Sequence, residues 1–425
     1  MTRTGGAVWS VYEAAGRLAA PLAAPYLAHR AARGKEDAGR ISEKRGVASH
    51  VPFPEAPIWL HAVSVGESVA ALSVADSLVG WGYPVLVTTS TPTAARRVAA
   101  HEGASLCHQF APLDAAPFVA RFLDTWRPQA AIFTESEVWP ATLQALARRG
   151  IPRAHVNARL SARSFARWKA RPWLSAPLFG MIDLALCQTA RQGERFEALG
   201  VREVHVTGQI KFDAAPPIAD PAAVEALREV IGSRPVWLAA STHPGEEEAV
   251  IVAHRRLRER WPDILTIIAP RHVERADAIE ALDPLDMTRR SKGERPEAGL
   301  YLADTFGEMG TLFAVAPVVF LGASLVPLGG HNPAEPAAHG TALLTGPSHG
   351  EMFEPFLAGD AALVVDGADA LAETVSALFD DEARRAALAE RAALVLDAER
   401  GALGRTMDAL SQWFAANAVE AGRAL

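Results

Sequence analysis

The stretch IWLHAVSVGES, residues 58–68, decides the fold of this chain. Its first half is a short apolar run, which is typical of a strand buried on both faces of a parallel sheet. Residues 70–78 follow with the apolar spacing of a helix. Glu67 therefore lies at a strand-to-helix turn, where doubly wound folds place ligands. A carboxylate at that turn is either a first-turn residue that stabilises the helix or a general base, and this stretch alone leaves both open.

The same alternation of short apolar runs and helical stretches continues on both sides of one interruption. Strands are predicted at residues 58–63, 84–88, 130–133, 152–156, 184–187 and 204–207. After a stretch rich in Pro and polar residues, further strands are predicted at 236–240, 265–269, 318–321, 342–345 and 362–365. Repeated βαβ units predict an α/β fold of two Rossmann-like domains, with the ligand in a cleft between them. We predict these domains at 51–210 and 234–395, a linker at 211–233 and a C-terminal helix at 396–425.

Composition excludes several classes of protein. The net charge of -7 over 425 residues argues against a nucleic-acid partner. Cys107 and Cys187 are the only two cysteines, so the sequence has no disulfide framework and no cysteine cluster for a metal. It also lacks a P-loop, a strand-adjacent G-x-G-x-x-G and an Asp-x-Asp. We therefore predict neither a cofactor nor a bound metal.

Residues 1–50 predict an amphipathic helix followed by a basic segment. Apolar residues recur at helical spacing, with Glu13 and Arg17 on the other face; they are Val8, Val11, Tyr12, Ala15, Leu18, Ala19, Leu22 and Tyr26. The run is too interrupted to span a membrane. A segment with a net positive charge follows; its basic residues are Arg30, Arg33, Lys35, Arg40, Lys44 and Arg45. We interpret the segment as lying on an anionic membrane surface, and the alternative is a helix that packs on the protein's own core or on a second subunit.

The second domain contains the groups that suit a phosphate. Hydroxyls precede a helix start, an Arg follows the next strand, and a glycine-rich loop follows a third. The candidate donor-site residues are Ser241, Thr242, Arg271, His272, Ser324, Gly329, Gly330, His331, Asn332 and Glu335. An ordinary capped helix and an ordinary turn are the alternatives for the individual motifs.

The first domain contributes polar residues at further strand ends. Glu137 follows one predicted strand, Asn157 and Arg159 follow another, and Lys211 leads into the linker. Ser64 and Gly66 lie beside Glu67. Together with Glu67, these residues form a second candidate set.

Eight runs taken together, and in this order, resemble one family. They are SVGE at 64–67, TTSTPT at 88–93, EVWP at 137–140, NARLS at 157–161, GQIKFD at 208–213, STH at 241–243, PRH at 270–272 and GHNP at 330–333. The chain resembles the 3-deoxy-D-manno-oct-2-ulosonic acid (Kdo) transferases of lipopolysaccharide synthesis over about residues 58–393. Ala334 departs from the family pattern, in which a larger apolar residue is common.

The resemblance implies a membrane-associated GT-B type glycosyltransferase on the cytoplasmic face of the inner membrane. The N-terminal helix resembles the family's membrane anchor only in kind, because it has fewer apolar residues and is broken by two prolines. It would transfer Kdo from CMP-Kdo to a lipid A precursor with inversion, with Glu67 as the base and Glu137 as a further functional residue. The second domain would bind CMP-Kdo through the donor set, and Ser64, Gly66, Asn157, Arg159 and Lys211 would lie on the acceptor side. A UDP-sugar transferase or epimerase, or a catalytically silent binding protein, remains as an alternative.

Overall fold

The chain packs as two compact units in the computed structural model, which describes residues 3–63, 65–283 and 286–421. The first unit comprises Met1–Ala214 and Arg400–Leu425, and the second comprises Ala215–Glu399. The division falls inside the stretch that we predicted as a linker. Later residues of that stretch form a helix, Pro221–Ile231, of the second unit.

A seven-stranded parallel sheet forms the centre of the first unit, with the order β3-β2-β1-β4-β5-β6-β7. Its strands are β1 Ile58–Ala62, β2 Val85–Thr89, β3 Leu106–Phe110, β4 Ala130–Thr134, β5 Arg153–Ala158, β6 Leu184–Cys187 and β7 Glu203–Val206. The six strands predicted for this half of the chain are all present. Strand β3 was not predicted.

Strand β3 is hidden in the sequence because polar residues interrupt its apolar pattern. His108 and Gln109 are both buried. The Nε2 of His108 lies 2.9 Å from the Thr89 hydroxyl, and Trp126 donates its indole N–H to Gln109 at 3.0 Å. These partners offset the cost of burying polar side chains, and they come from distant positions that periodicity does not reveal.

Strand β1 separates the two halves of the core. Leu60 and Ala62 pack on one side of the sheet, and Trp59 packs on the other, as strand alternation requires. All three are fully buried, and each large apolar side chain contributes about 1.5–3 kcal/mol by leaving water. This burial fixes the carboxyl end of β1, and so the turn that bears Glu67.

Nine helices are described in the stretch before the linker. They are α1 Arg3–Ala19, α2 Ala23–Ala32, α3 Val65–Gly80, α4 Pro92–Ala99, α5 Ala116–Trp126, α6 Pro140–Arg148, α7 Ala162–Lys169, α8 Pro172–Phe179 and α9 Ala190–Leu199. Their starts follow the usual capping chemistry. Thr91, Ser161 and Thr189 each accept a backbone N–H of the helix that they precede.

The second unit contains another seven-stranded parallel sheet, with the order β10-β11-β9-β8-β12-β13-β14. Its strands are β8 Val236–Thr242, β9 Leu265–Pro270, β10 Met287–Arg289, β11 Leu300–Leu302, β12 Val318–Leu321, β13 Ala342–Thr345 and β14 Ala362–Val364. The five predicted strands are present. Strands β10 and β11 were not predicted.

Helices surround this sheet and continue to the end of the chain. They are α10 Pro221–Ile231, α11 Glu246–Arg260, α12 Ala276–Glu280, α13 Met309–Val315, α14 Ala334–Ala338, α15 Glu354–Ala358, α16 Ala368–Asp380 and α17 Glu382–Glu399, followed by α18 Ala402–Ala416. Helix α18 belongs to the first unit. Asp213 accepts the backbone N–H groups of Gly401 and Leu403 at 2.6 and 2.5 Å, which fixes the start of this helix.

Helices α1 and α2 pack on the first unit and also leave apolar side chains exposed. Helix α1 packs on the first unit through Trp9 and through Glu13, which is buried and pairs with Arg148 at 2.7 Å. Apolar side chains remain exposed on these helices and on the 3-10 turn between them, Ala20–Leu22; they include Val11 at 68%, Leu18 at 81%, Leu22 at 67% and Tyr26 at 54%. Among the described residues, no helix is both long and apolar enough to cross a membrane.

The basic segment after α2 is less available than its sequence suggests. Lys44 is buried and pairs with Glu36, which also accepts from Arg30 at 2.7 Å. Arg40 binds the buried Glu43 through two nitrogens. Three of the six basic residues are therefore paired with two carboxylates of the same segment, and Arg33, Lys35 and Arg45 remain exposed.

Candidate active site

Glu67 lies where the sequence placed it, in the first turn of α3 just after β1. It is half-buried, and its Oε2 accepts the backbone N–H of Val63 at 2.8 Å. This contact closes the turn between strand and helix. The same N–H group and the helix start stabilise negative charge on the carboxylate, so a capping role and a basic role are compatible. Ser64 lies outside the described residues, and Gly66 is exposed in the same turn.

The turn of Glu67 coincides with the topological switch point of the first sheet. The strands that follow β1 in the chain, β2 and β3, extend the sheet to one side, whereas β4 to β7 extend it to the other. Ligands of doubly wound sheets bind at the carboxyl ends of the strands at such a point. The neighbouring strand β4 leads directly into Glu135 and Glu137.

Glu135 forms the most tightly paired carboxylate of this edge. It is buried, and it accepts from Lys211 Nζ at 2.6 Å and from Arg159 Nε at 2.9 Å. Lys211 and Arg159, both predicted on the acceptor side, therefore converge on one carboxylate. From the sequence, Glu137 was predicted as a site residue and Glu135 was not, although both lie in the run that follows β4. Only the long-range contact with Lys211 distinguishes them.

Glu137 is held differently from Glu135. Trp139 donates its indole N–H to Glu137 Oε2 at 2.6 Å, and among the described residues no cation pairs with this carboxylate. Burial raises the pKa of Glu137 above its usual range; the hydrogen bond from Trp139 opposes this and the charge of Glu135 adds to it. The site thus holds two carboxylates whose environments differ, as acid and base pairs require.

Asn157 shapes the next strand end. Its backbone has a positive φ of 50°, and its Oδ1 accepts the backbone N–H of Ile210 at 3.2 Å. That bond fixes the turn that presents Lys211. The Nδ2 of Asn157 is buried without a hydrogen-bond partner among the described residues. An unpaired buried amide costs free energy, so this N–H₂ group is a candidate ligand contact.

Two buried histidines lie behind the carboxylates. His155 Nε2 is 2.8 Å from the backbone oxygen of Glu137, and the His61 ring meets the Trp139 ring at 4.5 Å. Burial lowers the pKa of His61 to about 3 and that of His155 to about 4. Both rings are therefore neutral at physiological pH, and they support the loop of Glu137 without adding charge.

In the second unit, the switch point lies between β8 and β12. Ser241, near the end of β8, has a positive φ of 55°. The predicted donor residue Thr242 is fully buried, and its hydroxyl donates to Glu247 at 3.0 Å. Glu247 also pairs with Arg275 at 2.8 Å. The Thr242 hydroxyl thus stabilises the start of α11 from inside the unit.

The amides that follow β12 already have an anion. Glu246 is fully buried and accepts the backbone N–H groups of Ala323, Ser324 and Leu325 at 2.7–2.9 Å. The predicted donor residue Ser324 is also fully buried; its hydroxyl donates to the Leu321 oxygen at 2.6 Å. This ring of amides resembles a phosphate nest, but a carboxylate of the protein occupies it. Sequence reasoning assigned the acidic residues only to the helix start.

The glycine-rich loop and the exposed cation complete the donor set. Gly329 and Gly330 both have positive φ, and the Gly330 N–H donates to the Ala323 oxygen at 2.7 Å. Asn332 accepts the Ala334 N–H at 3.0 Å and so caps α14, in whose first turn Glu335 lies. Arg271 and His272 are exposed directly after β9. His331 lies in this loop, and its ring is nearly parallel to that of His243, which directly follows β8; the ring centroids are 5.4 Å apart.

Within the described ranges, no group of three or more His, Cys, Asp or Glu side chains is placed to hold a metal ion. Arg271 is exposed at this edge and carries a positive charge. Burial lowers the pKa of His331 to about 4.

Comparison with known proteins then places the chain. A family model described as 3-deoxy-D-manno-octulosonic-acid transferase (kdotransferase) matches residues 35–214. The 3-deoxy-D-manno-octulosonic acid transferase of Haemophilus influenzae is 34% identical over 395 residues, which cover 89% of this chain and 92% of that protein. The chain belongs to the Kdo transferase family. The Bordetella pertussis member is 35% identical over 386 residues, which cover 86% of this chain and 89% of that protein.

Membership makes the protein a glycosyltransferase that transfers Kdo in lipopolysaccharide biosynthesis. The fold agrees. A glycosyltransferase from Rickettsia africae ESF-5 superimposes with a TM-score of 0.62 at 13% identity, covering 85% of this chain and 99% of that one. At this identity the likeness concerns the fold alone, and it confirms the predicted GT-B type α/β architecture of this Kdo transferase family member.

Proposed function

We propose that this Kdo transferase family member moves Kdo from CMP-Kdo to a lipid A precursor with inversion, and that Glu67 is the general base. The observation that supports the proposal most directly is the place of Glu67: a half-buried carboxylate at the switch point of the first sheet, held by the Val63 N–H. An acceptor hydroxyl is a weak nucleophile, and a carboxylate that takes its proton during attack accelerates the step.

Inversion needs one such carboxylate. The hydroxyl attacks the anomeric carbon opposite the leaving group, its proton passes to Glu67, and the bond from carbon to the phosphate oxygen breaks with its electron pair on CMP. Glu137 differs from Glu67 because burial raises its pKa and Trp139 donates to it. We assign it to hydrogen bonding with acceptor hydroxyls.

The Glu135, Lys211 and Arg159 cluster gives the acceptor edge a fixed charge pattern. Because Glu135 is buried between two cations, the cluster carries a net positive charge. Arg159 is half-exposed, and it can contact an anionic acceptor such as a phosphorylated lipid A precursor while remaining paired. The unpaired Nδ2 of Asn157 adds a neutral donor at the same edge.

On the donor side we assign CMP-Kdo to the carboxyl ends of β8, β9 and β12. Negative charge develops on the CMP phosphate as the bond breaks, and preorganised donors stabilise it. Arg271 and the Gly329 amide supply those donors, and His331 lies beside them. The Gly330 N–H already donates to the Ala323 oxygen and so fixes the loop. The buried hydroxyls of Thr242 and Ser324 hold the loops in place in this proposal.

We also propose that the protein acts on the cytoplasmic face of the inner membrane as a peripheral or monotopic protein. The exposed apolar side chains of α1 and α2 support this, because burial of each in the membrane interface contributes about 1.5–3 kcal/mol. The acceptor is a lipid, so an apolar surface on the acceptor-binding unit serves the reaction directly.

The deciding experiment incubates the full chain with CMP-Kdo and a lipid A precursor and analyses the products by mass spectrometry. We expect the acceptor mass to increase by one or more Kdo residues while CMP is released. A thermal-shift titration with CMP and UDP separates the rival sugar-nucleotide enzymes, since a ligand stabilises the native state in proportion to its affinity. Stabilisation by UDP alone, with no transfer of Kdo, would refute the proposal.

A further inference from the structure

Two stacked histidines span the switch point of the second sheet. His243 follows β8 and His331 lies in the loop after β12, which is the neighbouring strand. Their rings are 15° from parallel with centroids 5.4 Å apart, and their Nε2 atoms are 3.2 Å apart. Both side chains are half-buried. We refer to them as the histidine pair.

A contact of 3.2 Å between two ring nitrogens requires one hydrogen between them. A neutral imidazole has one N–H, so one ring donates through Nε2 and the other accepts there and keeps its proton on Nδ1. The donating ring then has a bare Nδ1. Adding one proton to that Nδ1 charges the pair and leaves the shared hydrogen in place. The pair can therefore gain a proton without losing its internal contact.

Without a bound phosphate, the surroundings keep the histidine pair neutral. Burial lowers the pKa of both rings, that of His331 to about 4, and the neighbouring Arg271 and His272 side chains act in the same direction. Glu246 and Glu247 face His243 and oppose this, and hydrogen bonding to the Ser241 backbone opposes it at His331. Both carboxylates are already engaged, Glu246 by backbone amides and Glu247 by Arg275.

A bound dianion would reverse that balance. A phosphate near Arg271 and the Gly330 loop would add negative charge close to the pair without a compensating cation of its own. We propose that the histidine pair takes up one proton when a nucleoside monophosphate binds, and that it presents the resulting N–H to the phosphate. This inference rests on the proposed function, because it takes CMP to be the released nucleotide.

The proposal gives the pair a positioning and charge-balancing role in transfer. As the carbon–oxygen bond breaks, the leaving phosphate gains one negative charge, and the protonated pair balances it. The pair takes this proton from solvent as the phosphate becomes a dianion and returns it to solvent when CMP departs, so no further reactant is needed. The acceptor proton goes to Glu67 independently.

Isothermal titration of the full chain with CMP tests this inference. The titration is run at about pH 8, well above the second phosphate pKa of about 6, so CMP binds as a dianion. Repeating it in non-phosphate buffers of different ionisation enthalpy measures the protons exchanged. We expect net proton uptake with CMP, and none with cytidine, which lacks the phosphate.

Two variants locate the proton. His331→Asn and His243→Asn should each remove the uptake and weaken CMP binding about tenfold or more, as expected when a hydrogen bond to a charged group is lost. His205→Gln, a change at an exposed histidine of β7, is the matched control and should leave both unchanged. The buffer series on the unmodified chain stands even where a variant fails to fold.

The outcomes separate the two proposals. CMP binding whose heat is independent of buffer overturns the inference and leaves the proposed function intact. Equal uptake with cytidine, or unchanged uptake in both variants, overturns it as well. Absence of any CMP binding, with binding of UDP instead, refutes the proposed donor and with it the inference.

Discussion

Four residues with positive φ mark both candidate edges at the scale of single residues. Glu135, Asn157, Ser241 and Ala323 adopt φ values of 50–60°, although none is glycine. Two of them, Asn157 and Ser241, lie where the pairing register of a strand shifts. Each such conformation costs about 1–3 kcal/mol and persists where the surroundings enforce it. Because these residues lie at strand ends, we interpret their backbone conformations as orienting the chain at the two candidate edges.

Replacement of Glu67 by Gln removes the proposed base while keeping an acceptor for the Val63 N–H. We expect kcat to fall about 10²–10⁴-fold, with CMP affinity unchanged, because general base catalysis contributes that range. Initial rates of Kdo transfer and a CMP titration measure the two effects. Asp76→Asn, at the other end of α3, is the control and should retain the activity. Near-normal transfer by the Gln variant would exclude Glu67 as the base.

Glu137→Gln should change stability in a pH-dependent way. Burial raises the native pKa of Glu137, so the native state holds the proton more tightly than the unfolded state. The folded protein therefore loses stability as pH rises through the unfolded pKa of about 4.3, until pH exceeds the native pKa. Gln carries no charge and still accepts from Trp139. Its melting temperature relative to the unmodified chain should increase from about pH 4 to pH 7.

The control for this series is Glu194→Gln, at an exposed position on α9. Its melting temperature should follow that of the unmodified chain at every pH. A Glu137→Gln variant that is equally destabilised at both ends of the pH range would contradict this prediction. It would show that the side chain contributes through packing and that burial of its charge does not lower the stability of the native state.

Part of this residue-level picture follows from sequence. The turn of Glu67, and the polar residues at strand ends, were predictable because parallel strands place their carboxyl ends at one edge. The distinction between Glu135 and Glu137 was not, because Lys211 lies 76 positions away. Likewise, the burial of the Thr242 and Ser324 hydroxyls depends on contacts that no local pattern encodes.

At the scale of elements, helix α1 packs one face on the first unit and leaves another face exposed. Helix α1 buries Trp9 and Glu13 against the first unit, and the Tyr12 hydroxyl donates to Asp114 at 3.0 Å. The apolar residues of the predicted face point outward instead. Amphipathicity predicted the apolar face correctly, but not that a buried glutamate would attach the helix to the protein.

The double substitution Leu18→Ser with Leu22→Ser should abolish most membrane binding without unfolding the first unit. Both side chains are largely exposed, so little packing is lost, while about 1.5–3 kcal/mol of interfacial burial disappears for each. Co-sedimentation with anionic liposomes measures the effect. Leu394→Ser, at an exposed leucine of α17, is the control. Equal sedimentation of all three proteins would refute the membrane proposal.

At the scale of the whole molecule, the end of the chain completes the beginning. Helix α18 places Leu410, Trp413 and Phe414 in the core of the first unit, and the Tyr83 hydroxyl donates to the Val419 oxygen at 3.2 Å. The first unit is therefore assembled from two distant segments, with the second unit inserted between them in sequence. Folding of the first unit needs a contact made across more than three hundred positions.

Trp413→Ala should destabilise the first unit selectively. A buried Trp replaced by Ala costs about 3–5 kcal/mol, and Trp413 is 4% exposed. Hydrogen exchange should accelerate in β6 and α3, whereas the strands of the second unit and CMP binding stay unchanged. Leu394→Ala is the matched control on an exposed site. Uniform acceleration in both units would show that the two unfold as one.

The sequence by itself determined the fold class and the family, because alternating apolar periods and eight ordered motifs are local properties of the chain. It also determined the turn of Glu67. Only the tertiary structure decided which charged and polar groups are free to bind a ligand. Glu135 and Glu246 are held by partners within the protein, and Arg40 and Lys44 are paired with carboxylates. His243 and His331 contact each other. The physical reason is that buried polar groups must find partners, and those partners come from residues far apart in the chain.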